Sequence, residues 1–556
     1  MQLLNIILVL LIPSVIFGLS PQEIAQKLGI WTLLPPFLAV MLAFLTKHVI
    51  LSLLIGIWTG SLLLVVSVHG GSFYSFIQSF TMISKTIVNS INSSFSAGII
   101  MQVITIGGLI ALIGRNGGAR AVASMIASKA KTPRSAQLMT WILGIFIFFD
   151  DYANALIAGS VMRPVTDKLK VSREKLAFIV DSTAAPIAAV ALISTWIGFE
   201  LSTMRDAYEI IGQPDVNVYA IFLKTIPYRF YNIFMLGFVA IIALMNRDFG
   251  PMLKAEQNAR NGIINNTHTM QEGGDALDPL PHIKLNIWNA LIPLATLIIV
   301  SILGFWNEGY QSLMQKNPEI FNKLQGYDLS IEILGASSAS FVIFQAALAA
   351  TIVAFIMSAI TKTINFFDAF QIWLNGAKNL FGTAVLTLIL AWSISSIIKA
   401  LGTNFFLVEF LKDVVNPALL PMFTFIIGML VSFSTGTSYG TMGILMPLAI
   451  PLASSLSNGA DIIVIATAGA VLTGAVFGDH CSPISDSTIL SSAGAGCSLV
   501  DHTKTQLPYA LLVGFISIIL GYLMIAFGFP ILVSYILGFS FLISILYVYG
   551  KNPSQQ

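Results

Sequence analysis

The chain has 556 residues, 56% of them hydrophobic and 10% charged, with a formal net charge of +2, whereas a soluble domain carries about 25% charged residues. Such a chain has no room for a sizeable soluble domain and shows no sign of nucleic acid as a partner; it reads as a polytopic membrane protein, because a bilayer core about 30 Å thick takes roughly 20 apolar residues per helical crossing. Two cysteines, Cys481 and Cys497, with one histidine nearby, make neither a disulfide framework nor a tetrahedral zinc set. They are read as packing residues, and no cofactor is expected.

In chain order, residues 1–29 are an N-terminal hydrophobic segment. Its first 19 residues have an apolar core without a basic flank, which suits a cleaved signal peptide and a retained first helix equally. A first repeat is expected over 30–245. It contains crossings at about 30–46, 49–68 and 95–114, a short amphipathic piece, a hairpin at 136–166, a helix at 176–196 interrupted by polar residues, and a crossing at 228–245. The hydrophilic stretch 246–285 is read as a linker. A second repeat over 286–527 contains crossings at 286–305, 339–360 and 381–399, a hairpin at 417–454, an interrupted helix at 461–490 and a crossing at 507–527; an extra helix and tail follow at 528–556.

Weak self-similarity supports the duplication. Tyr152 to Pro164 and Tyr439 to Pro451 are both twelve apart, and "DSTAAPI" (181–187) falls on "GDHCSPI" (478–484) if the second copy carries ten extra residues. A re-entrant hairpin leaves five crossings per copy, and an odd number inverts the second. Arg115, Arg120, Lys129, Lys131 and Arg134 precede the first hairpin, and Arg163, Lys168, Lys170, Arg173 and Lys175 follow it. The positive-inside rule makes that side cytoplasmic, which places the linker inside and the segment with Glu200, Asp206, Glu209 and Asp215 outside. The expected fold is an all-α polytopic membrane protein of two inverted-topology repeats, each with about five transmembrane helices, a re-entrant hairpin and an interrupted helix.

An ionisable side chain inside hydrocarbon normally faces a cavity or a partner, and four stretches carry such groups. "FFDDYAN" supplies Asp150, Asp151 and Asn154 at the first hairpin tip, and "STGTSYG" supplies Thr437 and Ser438 at the second. "VDSTAAP" supplies Asp181, Ser182 and Thr183, and "GDHCSPISD" supplies Asp479, His480, Ser482, Ser485 and Asp486. Pro186 and Pro483 are expected to break the helices there, since each removes a helix hydrogen bond. Broken helices at membrane depth line polar cavities. Their carbonyls, with hydroxyls and carboxylates, are the hard oxygen ligands of a small alkali cation. A carboxylate that holds either sodium or a proton couples the two flows by competition, which is antiport, and all these residues are candidates for binding the cation or the proton. Several have structural rivals. Asp151 and Asp486 can act as helix caps, His480 as a proton shuttle or as a donor to a carbonyl across the break, and Arg163 as a topology anchor or a partner of Asp150 or Asp167. Asp181 and Asp479, beside their prolines, are taken as the principal carboxylates. Without a nucleophile elbow, the Ser, His and Asp of 479–486 do not make a hydrolase; transport is expected, not catalysis.

"GDHCSPISDSTILSS" (478–492) resembles the signature of the NhaC-type Na+/H+ antiporter family, within the ion transporter superfamily. "FDDYAN" and "MRPVTDK" with "DSTAAP" resemble its first-half counterpart, and the likeness covers most of residues 30–527. The resemblance implies a multi-pass transporter of the bacterial inner membrane that exchanges cytoplasmic sodium for external protons, with inverted repeats, two re-entrant hairpins and two unwound helices. It implies a homodimer with an elevator motion, and a cation site built from 150–154, 435–440, 181–186 and 478–486. The same family includes exchangers of malate with lactate, or of amino acids. A sodium- or proton-coupled exchanger of small organic acids is therefore the alternative. The lack of an arginine in either expected break favours the cation, while the hydroxyl-rich "STGTSYGT" could receive a carboxylate.

Overall fold

In hydrocarbon every backbone amide and carbonyl must be paired within the chain, so apolar runs of membrane length become helices. The computed structural model describes residues 19–46, 48–263, 279, 283–316, 318–319, 321, 325–412 and 415–554. The described residues are helical apart from connections and one isolated bridge between Asp248 and Lys551. Among them, ten helices are long and apolar enough to span a membrane, and two bent pairs bring the number to twelve. The expectation for residues 1–18 and that for part of the linker, 264–278 and 280–282, lie outside the described residues.

The first half contains α1 (Val49–His69), α2 (Phe73–Ile91), α3 (Ser94–Arg115), the hairpin α4 (Pro133–Phe146) and α5 (Asp151–Lys168), then α6 (Arg173–Ala188), α7 (Ile197–Ile210) and α8 (Phe230–Met245). The second half repeats the order with α9 (Ala339–Ile360), α10 (Phe366–Leu380), α11 (Leu386–Leu401), the hairpin α12 (Leu420–Thr435) and α13 (Ser438–Leu456), α14 (Asp461–Asp479), α15 (Asp486–Ala495) and α16 (Leu499–Ile516). Packing partners recur in corresponding pairs: α1 with α11 and α9 with α3, α2 with α11 and α10 with α3, α5 with α15 and α13 with α7. A duplicated chain packs in this way.

Two elements differ from the sequence reading. Helices α2 and α10 were not anticipated, because their apolar residues follow a one-sided helical spacing (Phe73, Phe76, Phe80) instead of a continuous run. The first break is also displaced. Helix α6 runs through Asp181 with Pro186 inside it, and the irregular segment is 189–196. One proline forfeits a single hydrogen bond near the end of a helix that closes at Ala188, so Asp181 lies on regular helix and not in the break. The interval from hairpin to following helix is nearly the same in both halves, Asp151 to Arg173 and Ser438 to Asp461. The ten-residue gap that laid "DSTAAPI" on "GDHCSPI" therefore has no structural counterpart. The second break falls where expected, at 480–485.

Candidate functional site

Asp150 N-caps α5, its Oδ1 accepting from the Ala153 amide at 2.7 Å. The cap expected of Asp151 thus belongs to its neighbour, and Asp151, the first helical residue, is released to face inward, 6% exposed. At the second tip Gly436 takes φ +66°, and a Cβ there would lie 2.7 Å from the Ile484 carbonyl oxygen. Glycine therefore lets the tip turn against the second break. Thr437 then N-caps α13.

Both tips, the first break and the two helix ends that flank the second break meet at one cavity of about 50 Å³. Of the expected residues, Asp150, Asp151, Thr437, Ser438, Asp479 and Asp486 line it, joined by Tyr152, Thr195, Trp196 and Tyr439. The first break is tied to the first tip: Thr195 Oγ1 donates to Asp150 Oδ2 at 3.1 Å, and Trp196 Nε1 donates to Asp151 Oδ1 at 3.1 Å. Asp479, the last residue of α14, receives Ser485 Oγ on Oδ1 at 2.9 Å. Tyr439 stacks on Phe199 of α7 with centroids 4.5 Å apart. Asp486 is exposed at the first position of α15, where the acidic charge suits the helix N-terminus; Ser485 holds the cap position, and Tyr152 donates to Asp486 Oδ2 at 3.4 Å. The 50 Å³ space abuts a larger one of about 420 Å³, which shares Asp150, Tyr152 and Leu380 and carries Arg115 on its wall.

The remaining expected residues lie off the cavity. Asn154 Nδ2 donates to the carbonyls of Gly144 at 2.7 Å and Thr183 at 2.8 Å, locking the first hairpin to α6. Ser482 Oγ donates to the Phe433 carbonyl at 2.6 Å, fixing the second break to α12. Ser182 is fully buried, and Thr183 Oγ1 donates to the Ile179 carbonyl. Asp181 Oδ2 is hydrogen-bonded to His502 Nε2 at 3.0 Å and to Gln506 Nε2 at 3.1 Å, both from α16. Gln506 Nε2 also contacts the His480 carbonyl and lies 2.9 Å from His480 Nδ1, while His480 Nε2 meets the Tyr231 hydroxyl. His480 is thus held inside a polar network with Tyr231 of α8 and Gln506 of α16, and its ring meets these side chains instead of a carbonyl across the break. Arg163 pairs with neither Asp150 nor Asp167: Asp167 pairs with Arg173 at 3.0 Å. Glu200, placed outside by the charge pattern, is fully buried against Arg229 at 3.0 Å. Cys481 and Cys497 are buried and unbridged, in keeping with packing.

Tyr152 and Tyr439 were visible only as landmarks of the repeat. Each stands two residues after its hairpin cap, Asp150 or Thr437, and that equivalence was the signal for them. No motif marked Thr195, Trp196, His502, Gln506 or Arg229, which reach their places by tertiary packing.

Residues 187–527, most of the chain and including the second tip and break, match the model of the Na+/H+ antiporter family. The chain belongs to that family. Members are antiporters and not enzymes, in keeping with a multi-pass transporter. Over most of its length the chain is similar to an uncharacterized protein of Haemophilus influenzae, 31% identical over 505 residues, which are 90% of this chain and 91% of that one. A shorter match, 31% identical over 151 residues, covers 27% of this chain and 30% of the Na+/H+ antiporter NhaC of Alkalihalophilus pseudofirmus. The fold is similar to the Alcanivorax borkumensis YdaH transporter, with TM-score 0.56, 12% identity, and coverage of 82% of this chain and 90% of that one.

Proposed function

We propose that this chain exchanges cytoplasmic sodium for external protons across the bacterial inner membrane. In this reading the cation is held in the 50 Å³ cavity by Asp151 and Asp479, with Asp150, Thr437 and Ser438 completing the oxygen set. The convergence of three buried carboxylates on that cavity carries the reading. Like charges so close repel one another, and either a cation or protons relieve the repulsion. The space suits a small cation and about one water, but not a four-carbon acid. Cation and proton compete for the same oxygens, so acidification should weaken sodium binding. The apparent KM for sodium is expected to rise as pH falls, by up to about tenfold per pH unit for each competing proton, with little change in maximal rate. Initial rates in proteoliposomes at several pH values measure this; a KM independent of pH would remove competition as the mechanism.

The larger space beside the cavity supports a second reading, coupled exchange of a small organic acid. Its 420 Å³ volume and Arg115 could seat a carboxylate within reach of Asp150 and Tyr152. Because Arg115 begins the basic stretch assigned to the cytoplasm, the same space serves the first reading as the inner entrance for sodium. Flux with sodium chloride alone separates the two. The bilayer and the two ions are the partners that this reading requires, together with a second copy of the chain if the family's homodimeric arrangement holds.

A further inference from the structure

Arg229 and Glu200 are fully buried and do not line the cavity. Arg229 stands at the joint between Val218–Tyr228 and Phe230–Met245, which meet at 50°. Its guanidinium reaches three places at once: Nη2 and Nη1 pair with Glu200 at 3.0 and 3.4 Å, Nη2 and Nε donate to Thr225 Oγ1 at 3.1 and 3.3 Å, and Nη1 donates to the Ala189 carbonyl. Ala189 opens the first break, and Glu200 lies one turn into α7 on its far side. The guanidinium therefore spans the irregular segment that carries Thr195 and Trp196.

Helix ends in hydrocarbon need donors for their free carbonyls. At the second break, hydroxyls supply them: Ser487 and Thr488 donate to the Asp479 carbonyl at 2.7 and 3.1 Å. At the first break, Ser194 Oγ serves the Ala188 carbonyl at 2.8 Å, and the Ala189 carbonyl falls to Arg229. A buried charge pair is a weak source of net stability, and intramembrane charge is expensive. A fixed fork of five donors does what a hydroxyl cannot, joining three elements in one geometry.

We propose that Arg229 and Glu200 are positioning residues that staple the first break, holding Thr195 and Trp196 against Asp150 and Asp151 and so setting the cavity's affinity for its cation. The effect on affinity rests on the proposed sodium/proton reading; the effect on the break does not.

The test compares the purified full-length protein with Arg229→Lys, Glu200→Gln and, as a control, Lys175→Met, which opens another fully buried pair, that with Asp248. Hydrogen exchange over 189–196, followed by mass spectrometry, is expected to speed up about tenfold or more in the first two variants, with α4 and α5 still protected. The apparent KM for sodium is expected to rise about tenfold at nearly unchanged maximal rate. The control should change neither. Unchanged protection of 189–196 in Arg229→Lys and Glu200→Gln, or equal loss in the control, would overturn the staple. A wild-type protein that moves no protons with sodium would sink the transport reading separately, and the exchange rates would still decide the staple.

Discussion

Asp479→Asn is expected to lower sodium-driven proton movement by about a hundredfold while the protein still inserts and purifies. The asparagine keeps the shape and can still accept from Ser485, which bonds Oδ1 at 2.9 Å; what it loses is the charge at the cavity wall. Asp151→Asn should behave alike, because its carboxylate meets Trp196 on one side and the cavity on the other. Asp181→Asn should do less harm, since Asp181 is turned to His502 and Gln506 and away from the cavity. Rates measured in proteoliposomes at equal protein content decide between them. Equal losses at 181 and 479 would move the cation towards α16 and contradict the placement given above.

Gly478→Ala is expected to have the largest structural effect. A methyl group on Gly478 would overlap the backbone at Ser432 and Phe433 of α12. That contact is stitched by the Gly478 amide donating to Ser432 Oγ at 3.0 Å, by Ser432 Oγ donating to the Gly474 carbonyl at 2.8 Å, and by Ser482 donating to Phe433. Small residues permit such close helix approach in membranes, and overpacking a site bounded by backbone costs about 1–3 kcal/mol or more. The melting temperature in detergent should drop clearly, and transport with it, because the displaced element carries Asp479. Gly71→Ala, at a position with nothing within 4 Å, is the control. Equal melting temperatures for the two variants would show that α12 and α14 can part without penalty.

What the sequence made legible follows from which forces act locally. Membrane crossings, hairpin tips and the second break were readable because each depends on a run of apolar residues or on glycine and hydroxyl chemistry within a few positions. "GDHCSPISD" breaks where its polar residues crowd together. "DSTAAPI" misled for the converse reason: a proline close to a helix end is cheap to tolerate, so α6 continues to Ala188, its Asp181 pairs with α16 and its Thr183 carbonyl accepts from Asn154 of the first hairpin. The true first break carries Thr195 and Trp196, ordinary residues whose role comes from facing the tip aspartates. The charge count placed the segment with Glu200 outside and carried no sign that this side chain is buried in an ion pair. Its partner Arg229 lies 29 positions along the chain, beyond the reach of any local pattern.

In the proposed mechanism the carboxylates between the two hairpin tips bind sodium in competition with protons. The most direct measurement is proton flux in proteoliposomes containing the purified protein and an internal pH dye, first with sodium chloride alone and then with sodium plus malate, lactate or an amino acid. Proton movement with sodium alone, lost in Asp479→Asn, is the expected result. Movement only when an organic solute is present would contradict it and transfer the cargo to the larger space beside Arg115.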